Sequence, residues 1–163
     1  MDVVVDSSSL NAILRTRRPQ ATSIEDGLTA RIRRRRIRVV VDKRDGLTSE
    51  WCQTCSPEVV KQLMILWTDL GGLHYLRSQP SLPPQLRRRL TQLGFSDTID
   101  RLIVAIALCT TDRHIVSEDS DFWDPRDPGR KGDPRAPVAT LLDRDATISV
   151  RTLQELFRHV PAS

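Results

Sequence analysis

Short, continuously apolar runs alternate along this chain with segments whose apolar residues recur every three or four positions. Val3-Val4-Val5 and Ile37 to Val41 are runs of the first kind, the pattern of strands buried on both faces of a parallel sheet. His114-Ile115-Val116 and Thr147 to Val150 read as two further strands. Helical spacing appears at Leu10, Ile13 and Leu14, and from Ser23 onward at Ile24, Leu28 and Ile32, with Arg33 to Arg36 closing that helix. Cations suit that end of the helix dipole. Lys43 to Gly46 is a turn, and Leu47 to Trp51 leads into a helix with Thr48 or Ser49 as its cap.

Ser56-Pro57-Glu58 starts a helix with a stripe of Val59, Leu63, Trp67 and Leu70, stopped by Gly71-Gly72. Leu73 to Pro83 reads as a loop. Pro84 opens a helix with Leu86, Leu90 and Leu93 on one face. Ser96 or Asp97 caps the next, which is apolar all round from Leu102 to Leu108 and therefore buried. The stretch 124–137 holds four prolines and two glycines and reads as a mobile surface loop. Val138 to Leu142 predicts a short helix, and Thr152 to Glu155 is a capping box opening a last one with Leu156, Phe157 and Val160. Alternating strands and helices predict an α/β fold: a three-layer α/β/α sandwich with a short, largely parallel central sheet, in a single domain over 1–163.

Composition changes this picture little. Apolar residues make up 39% of the 163 and charged ones 28%, as in an ordinary globular domain. No apolar run approaches the roughly 20 residues of a membrane span. With no signal-peptide pattern at the start and three cysteines without framework spacing, a cytoplasmic protein with no membrane partner is expected. The net charge is only +4, but arginines crowd from Arg15 to Arg44, a solvated face or a surface for phosphates. Cys52-x-x-Cys55 lacks the further ligands of a zinc site, and Cys109 falls in the apolar helix as a core residue. Of the three tryptophans, Trp67 reads as core and Trp123, beside an acidic knot, as the one placed to stack on a base.

That knot, Ser117-Glu118-Asp119-Ser120-Asp121, is one of several places where acids stand at element ends. The others are Asp6, Asp42, Glu50, Asp97 and Asp100. Taken singly, each is explained by capping, helix-dipole or ion-pair roles. Taken together, carboxylates gathered beside buried elements repel one another and rise in pKa unless a cation holds them ionised. Mg2+ and Mn2+ prefer such oxygen ligands.

The set resembles that of PIN-domain nucleases. The opening strand ends in Asp6, with Ser7-Ser8 after it. A strand and Asp-x-x-x-Gly turn, Asp42 to Gly46, precede Glu50-Trp51. Asp100 opens an apolar helix containing Ala105 and Ala107, and a strand leads into Ser117-x-Asp119-x-Asp121-Phe122, with Ser117 where the family has Thr. The resemblance implies an acidic, catalytic quartet of Asp6, Glu50, Asp100 and Asp119 holding Mg2+ or Mn2+, with Asp121 as an auxiliary ligand. It implies that the Ser8 and Ser117 hydroxyls orient carboxylates or phosphate. It implies hydrolysis of RNA phosphodiesters by an endoribonuclease, in RNA processing or as a toxin with an antitoxin or other regulatory protein as partner. Arg33, Arg34, Arg35, Arg36, Arg87 and Arg88 are the basic residues expected to hold RNA, and a homodimer is a further expectation. A DNase or structure-specific nuclease on the same site, or a non-catalytic binding module, are the alternatives.

Overall fold

In the computed structural model, residues 1–15, 27–124, 126 and 136–160 are described. Five strands form one sheet: β1 (Asp2–Val5), β2 (Arg38–Val41), β3 (Leu73–Tyr75), β4 (His114–Val116) and β5 (Ser149–Arg151). Their spatial order is β3-β2-β1-β4-β5, and every pairing is parallel. Val3 to Val5 and Val39 to Val41 are fully buried, as strands covered by helices on both faces must be. The registers Val3↔Val39 and Val4↔Ile115 place β1 at the centre.

The helices among the described residues are α1 (Ser7–Arg15), α2 (Gly27–Arg33), α3 (Gly46–Thr54), α4 (Pro57–Asp69), α5 (Pro84–Gln92), α6 (Thr98–Leu108), α7 (Pro137–Ala146) and α8 (Leu153–His159), with a 3-10 turn at Ser120–Phe122. Chain order runs one way from β1 through β2 to β3, then jumps back to β4 and on to β5. Right-handed crossovers therefore carry the connecting helices to opposite faces, and the three-layer α/β/α expectation matches the architecture. The apolar helix α6 packs against β1, β2 and β4 and buries Ile103 to Ala107.

Several local expectations are corrected. The segment after Gly72 is not all loop: Leu73–Tyr75 pairs with Val39 to Val41. Its three residues are too few for a hydrophobic pattern, and as an edge strand it leaves Tyr75 43% exposed. The stripe of α4 is Val60, Leu63 and Trp67, one position off at its start. Helix α7 runs on to Ala146. Helix α3 begins at Gly46, because the buried Asp42 carboxylate accepts the amides of Gly46 (3.0 Å) and Leu47 (2.9 Å) and caps it across the turn. A Cβ on Gly46 would meet Leu102 Cδ2 at 2.7 Å, so glycine permits the close approach of α3 to α6. Cys109 is exposed, since it follows the last turn of α6. Ile24 and most of the 124–137 stretch lie outside the described residues.

The capping box of α8 is formed as expected: Glu155 N–H donates to Thr152 Oγ1 (3.3 Å) and Thr152 N–H to Glu155 Oε2 (2.8 Å). The other end of α8 is closed by Arg31. Its guanidinium donates to Phe157 O (3.0 Å) and to Val160 O, and lies over the Phe157 ring at 4.2 Å. Arg31 is therefore a buried helix cap tying α2 to α8, and no part of a phosphate-contacting surface.

Candidate functional site

The sheet has one point where the chain order reverses, between β1 and β4. Open parallel sheets place their ligands there, beyond the C-terminal strand ends. Asp6 directly follows β1 and Ser117 directly follows β4. The Asp6 amide closes the gap by donating to Val116 O at 2.9 Å. Asp6 is buried, 3% exposed, and its Oδ2 accepts the hydroxyls of Ser8 (2.5 Å) and Ser117 (2.7 Å). Each hydroxyl also accepts a backbone amide from the next loop: Glu118 N–H to Ser8 Oγ and Asp119 N–H to Ser117 Oγ, both 3.0 Å. Two serines thus bind the acid of one strand to the loop of the other and set the course of Asp119. Asp119 Oδ1 accepts the Asp121 amide at 3.0 Å, turning the chain so that the Asp121 side chain joins the group.

Asp100 enters from α6. Asp97 caps that helix, its Oδ1 accepting from Ile99 N–H (2.7 Å) and Asp100 N–H (3.2 Å), which leaves Asp100 in the first turn and buried. Burial pushes its carboxyl up from the ordinary 3.8 to about 8, reinforced by Asp6, Asp97, Asp119 and Asp121. Burial also raises Asp6, with Asp119 adding to it and the Ser8 and Ser117 hydroxyls opposing. Asp121 is raised by burial first, then by Asp119, Asp97 and Asp6. The structure therefore brings Asp6, Asp100, Asp119 and Asp121 into one electrostatic group, with Ser8 and Ser117 hydrogen-bonded to Asp6.

Glu50 is not brought into that group. It sits in the second turn of α3, half-exposed, and accepts the Thr54 hydroxyl at 3.0 Å. It is no cause of the shifts at Asp6, Asp100 or Asp121. The buried positions of α3 are Leu47, Thr48 and Trp51, and Glu50 stands about 100° round the helix from Trp51. Glu118 serves as a structural link, accepting Leu153 N–H at 2.8 Å ahead of α8.

The basic residues divide. Arg33 to Arg36 are exposed but directly precede Ile37 and β2. Since all strands are parallel, they stand at the end of the sheet opposite the acids. There Arg35 and Arg38 border a groove of about 460 Å³ with Asp2 and Asp112, and Arg38 is held by Asp2 through contacts of 2.8 and 3.0 Å. Arg87 and Arg88 are exposed on α5, and Arg87 lines a pocket along α6, the helix that bears Asp100. No tryptophan is open for stacking: Trp51, Trp67 and Trp123 are all buried.

Trp51 has a structural part. Its indole N–H donates to Val5 O at 3.0 Å, supplying a partner to the last carbonyl of β1, immediately before Asp6. It packs edge-on against Trp67, with centroids 6.3 Å apart. Trp51→Phe keeps most of the packing and orphans this buried carbonyl. Unfolding in urea should show a loss of about 1–3 kcal/mol, and an unchanged midpoint would mean the bond carries no weight.

Compared with protein-family models, with curated proteins and with solved structures, the chain matches none of them. The fit of the site to a metal rests on its own chemistry. Among the described residues, no three His, Cys, Asp or Glu side chains stand assembled as a cation site. Carboxylates whose charges oppose one another are the type of donor that suits a hard divalent cation.

Proposed function

We propose that the protein is a PIN-like, divalent-metal-dependent endoribonuclease whose site is built from Asp6, Asp100, Asp119 and Asp121. The observation that supports this reading most is the convergence of these acids at the β1/β4 switch point, with the Asp100 carboxyl pushed up to about 8. Clustered titratable groups so displaced mark sites built for a charged ligand. The four acids would hold Mg2+ or Mn2+, which when bound supplies positive charge and Lewis acidity for hydrolysis of a phosphodiester. Ser8 and Ser117 fix the Asp6 carboxylate, and Ser117 also anchors the backbone of Asp119. With its carboxyl pushed up to about 8, Asp100 keeps its proton near neutral pH and would give it up where it held a cation. Glu50 has no part in this arrangement. An antitoxin or other regulatory protein, a second copy as partner and a cytoplasmic setting belong to the same proposal; no helix among the described residues is long and apolar enough to cross a membrane.

The test offers purified protein end-labelled single-stranded RNA and the DNA of the same sequence, with Mg2+, Mn2+ or EDTA. Internal cleavage of RNA that depends on the cation is expected. Faster cleavage of the DNA would replace this reading with a DNase. No cleavage of either strand, together with no heat of Mn2+ binding in calorimetry, would leave a non-catalytic binding module.

A further inference from the structure

Cys52 and Cys55 have no part in the acidic site, and the fold gives them a common place. Cys52 lies in the last turn of α3, and Cys55 follows that helix as its C-terminal cap. The Cys55 amide still donates to Trp51 O at 2.8 Å, so its Cα keeps the helical position. Three helical steps, each rising about 1.5 Å on a cylinder of about 2.3 Å radius, set the two Cα atoms about 5 Å apart. A disulfide spans roughly 4.4–6.8 Å between Cα atoms. Cβ atoms three apart in a helix stand about 5–6 Å from each other, where the bond needs about 4 Å. The end of the helix can supply that difference. Beyond its amide, Cys55 has left the helix, with φ −118° and ψ 173°, and Ser56 after it is exposed.

Both thiols are free and half-buried. One side of each packs on the core, and the open side is within reach of a small reagent. Burial pushes the Cys55 thiol up, Cys52 adds to that, and Arg15 at the end of α1 opposes them. The two sulfurs thus share one environment, with a guanidinium beside it that favours a thiolate.

We infer that Cys52 and Cys55 form an oxidisable dithiol site whose co-reactant is a low-molecular-weight disulfide. One thiolate of the pair attacks a sulfur of the incoming disulfide, whose S–S bond breaks as the first small thiol leaves. The neighbouring thiolate then attacks the protein sulfur of that mixed disulfide, and the second small thiol leaves as the Cys52–Cys55 bond forms. The pair loses two electrons, the small disulfide gains them, and the two cysteine protons end on the two small thiols. A partly exposed pair closed into so short a ring is of the labile kind that follows the redox poise around it. Cys109, exposed after the last turn of α6, has no cysteine near it in the sequence and therefore keeps the small thiol as a mixed disulfide.

The experiment incubates the parent, Cys52→Ser and Cys55→Ser with excess oxidised glutathione, traps remaining thiols with iodoacetamide and reads tryptic peptides by mass spectrometry. Cleavage after Arg44 and Lys61 leaves both cysteines in peptide 45–61, and Cys109 falls in peptide 102–113. In the parent, peptide 45–61 should lose two hydrogens and carry no glutathione, while peptide 102–113 carries one. At least one serine variant should retain a glutathione on the remaining cysteine of 45–61, because the second attack is gone. Circular dichroism of the oxidised parent should match that of the reduced one. A glutathione retained on the parent's peptide 45–61, two alkylated thiols there whatever the state of Cys109, no glutathione on either variant, or closure accompanied by loss of helical signal would overturn the inference.

Discussion

Asp6→Asn and Asp119→Asn should each fold as the parent does and lose divalent-dependent RNA cleavage by at least about 100-fold, roughly 3 kcal/mol of transition-state stabilisation. Both substitutions preserve shape and remove charge. At Asp6 an amide oxygen can still accept from Ser8 and Ser117, the two hydroxyls that now bind Oδ2. At Asp119 the oxygen can still accept the Asp121 amide. A cation held by carboxylates would feel the loss directly, whereas the fold would not. Glu50→Gln is the informative contrast. Its carboxylate reaches only Thr54 among its described partners, so it should keep most of the activity. Initial rates on one RNA, with circular dichroism to verify folding, decide the matter. Unchanged rates in Asp6→Asn and Asp119→Asn would refute the assigned site. A Glu50→Gln loss as deep as that of Asp119→Asn would mean that α3 moves inward when the site is loaded.

The same contrast shows which information the linear chain carried. Buried strands announced themselves, because Val3 to Val5 and Val39 to Val41 need apolar residues on both faces. Asp6, Asp100 and Asp119 stood out only as a set, since each acid at an element end has an ordinary capping or helix-dipole role when taken singly. The place of Glu50 was not legible, because a strand, turn and Glu in sequence do not say which side of α3 the acid takes; its carboxylate meets Thr54 and is no cause of the shifts at the other acids. A run of charge likewise does not say which end of a sheet it occupies. Arg33 to Arg36 were expected to hold RNA, and only the parallel topology sets them at the end of the sheet opposite the acids. Arg101 was passed over as the one cation in an apolar helix. That isolation was itself the available signal, since a guanidinium there must find acceptors, and this one finds Thr91 and Phe95. Edge strand β3 left no signal, as three half-exposed residues generate no period.

Asp100→Asn should stabilise the metal-free protein at pH 8, and the size of that effect should depend on pH in a definite direction. The Asp100 carboxyl titrates near 3.8 in an open chain and at about 8 in the fold. The folded state therefore binds the proton more tightly. Its contribution to stability is complete below about pH 4, falls as pH rises through the interval, and is gone above about pH 8. Asp6 and Asp121 are displaced in the same direction and add to the slope. Asparagine has no charge to bury, so Asp100→Asn should flatten the decline without abolishing it, with a gain over the parent of a few kcal/mol at pH 8 and little difference at pH 4. Mn2+ should do for the parent what the amide does for the variant. By holding the acids ionised it makes the parent's midpoint rise with metal concentration at pH 8, and it should raise that of Asp100→Asn far less. Urea unfolding across this pH range, with and without Mn2+, separates the two causes. If Asp100→Asn gains nothing at pH 8, burial at this carboxyl is relieved by another route. If the gain appears but Mn2+ leaves the parent's midpoint unmoved, the acids repel one another without a cation to reconcile them, and the site is not a metal centre.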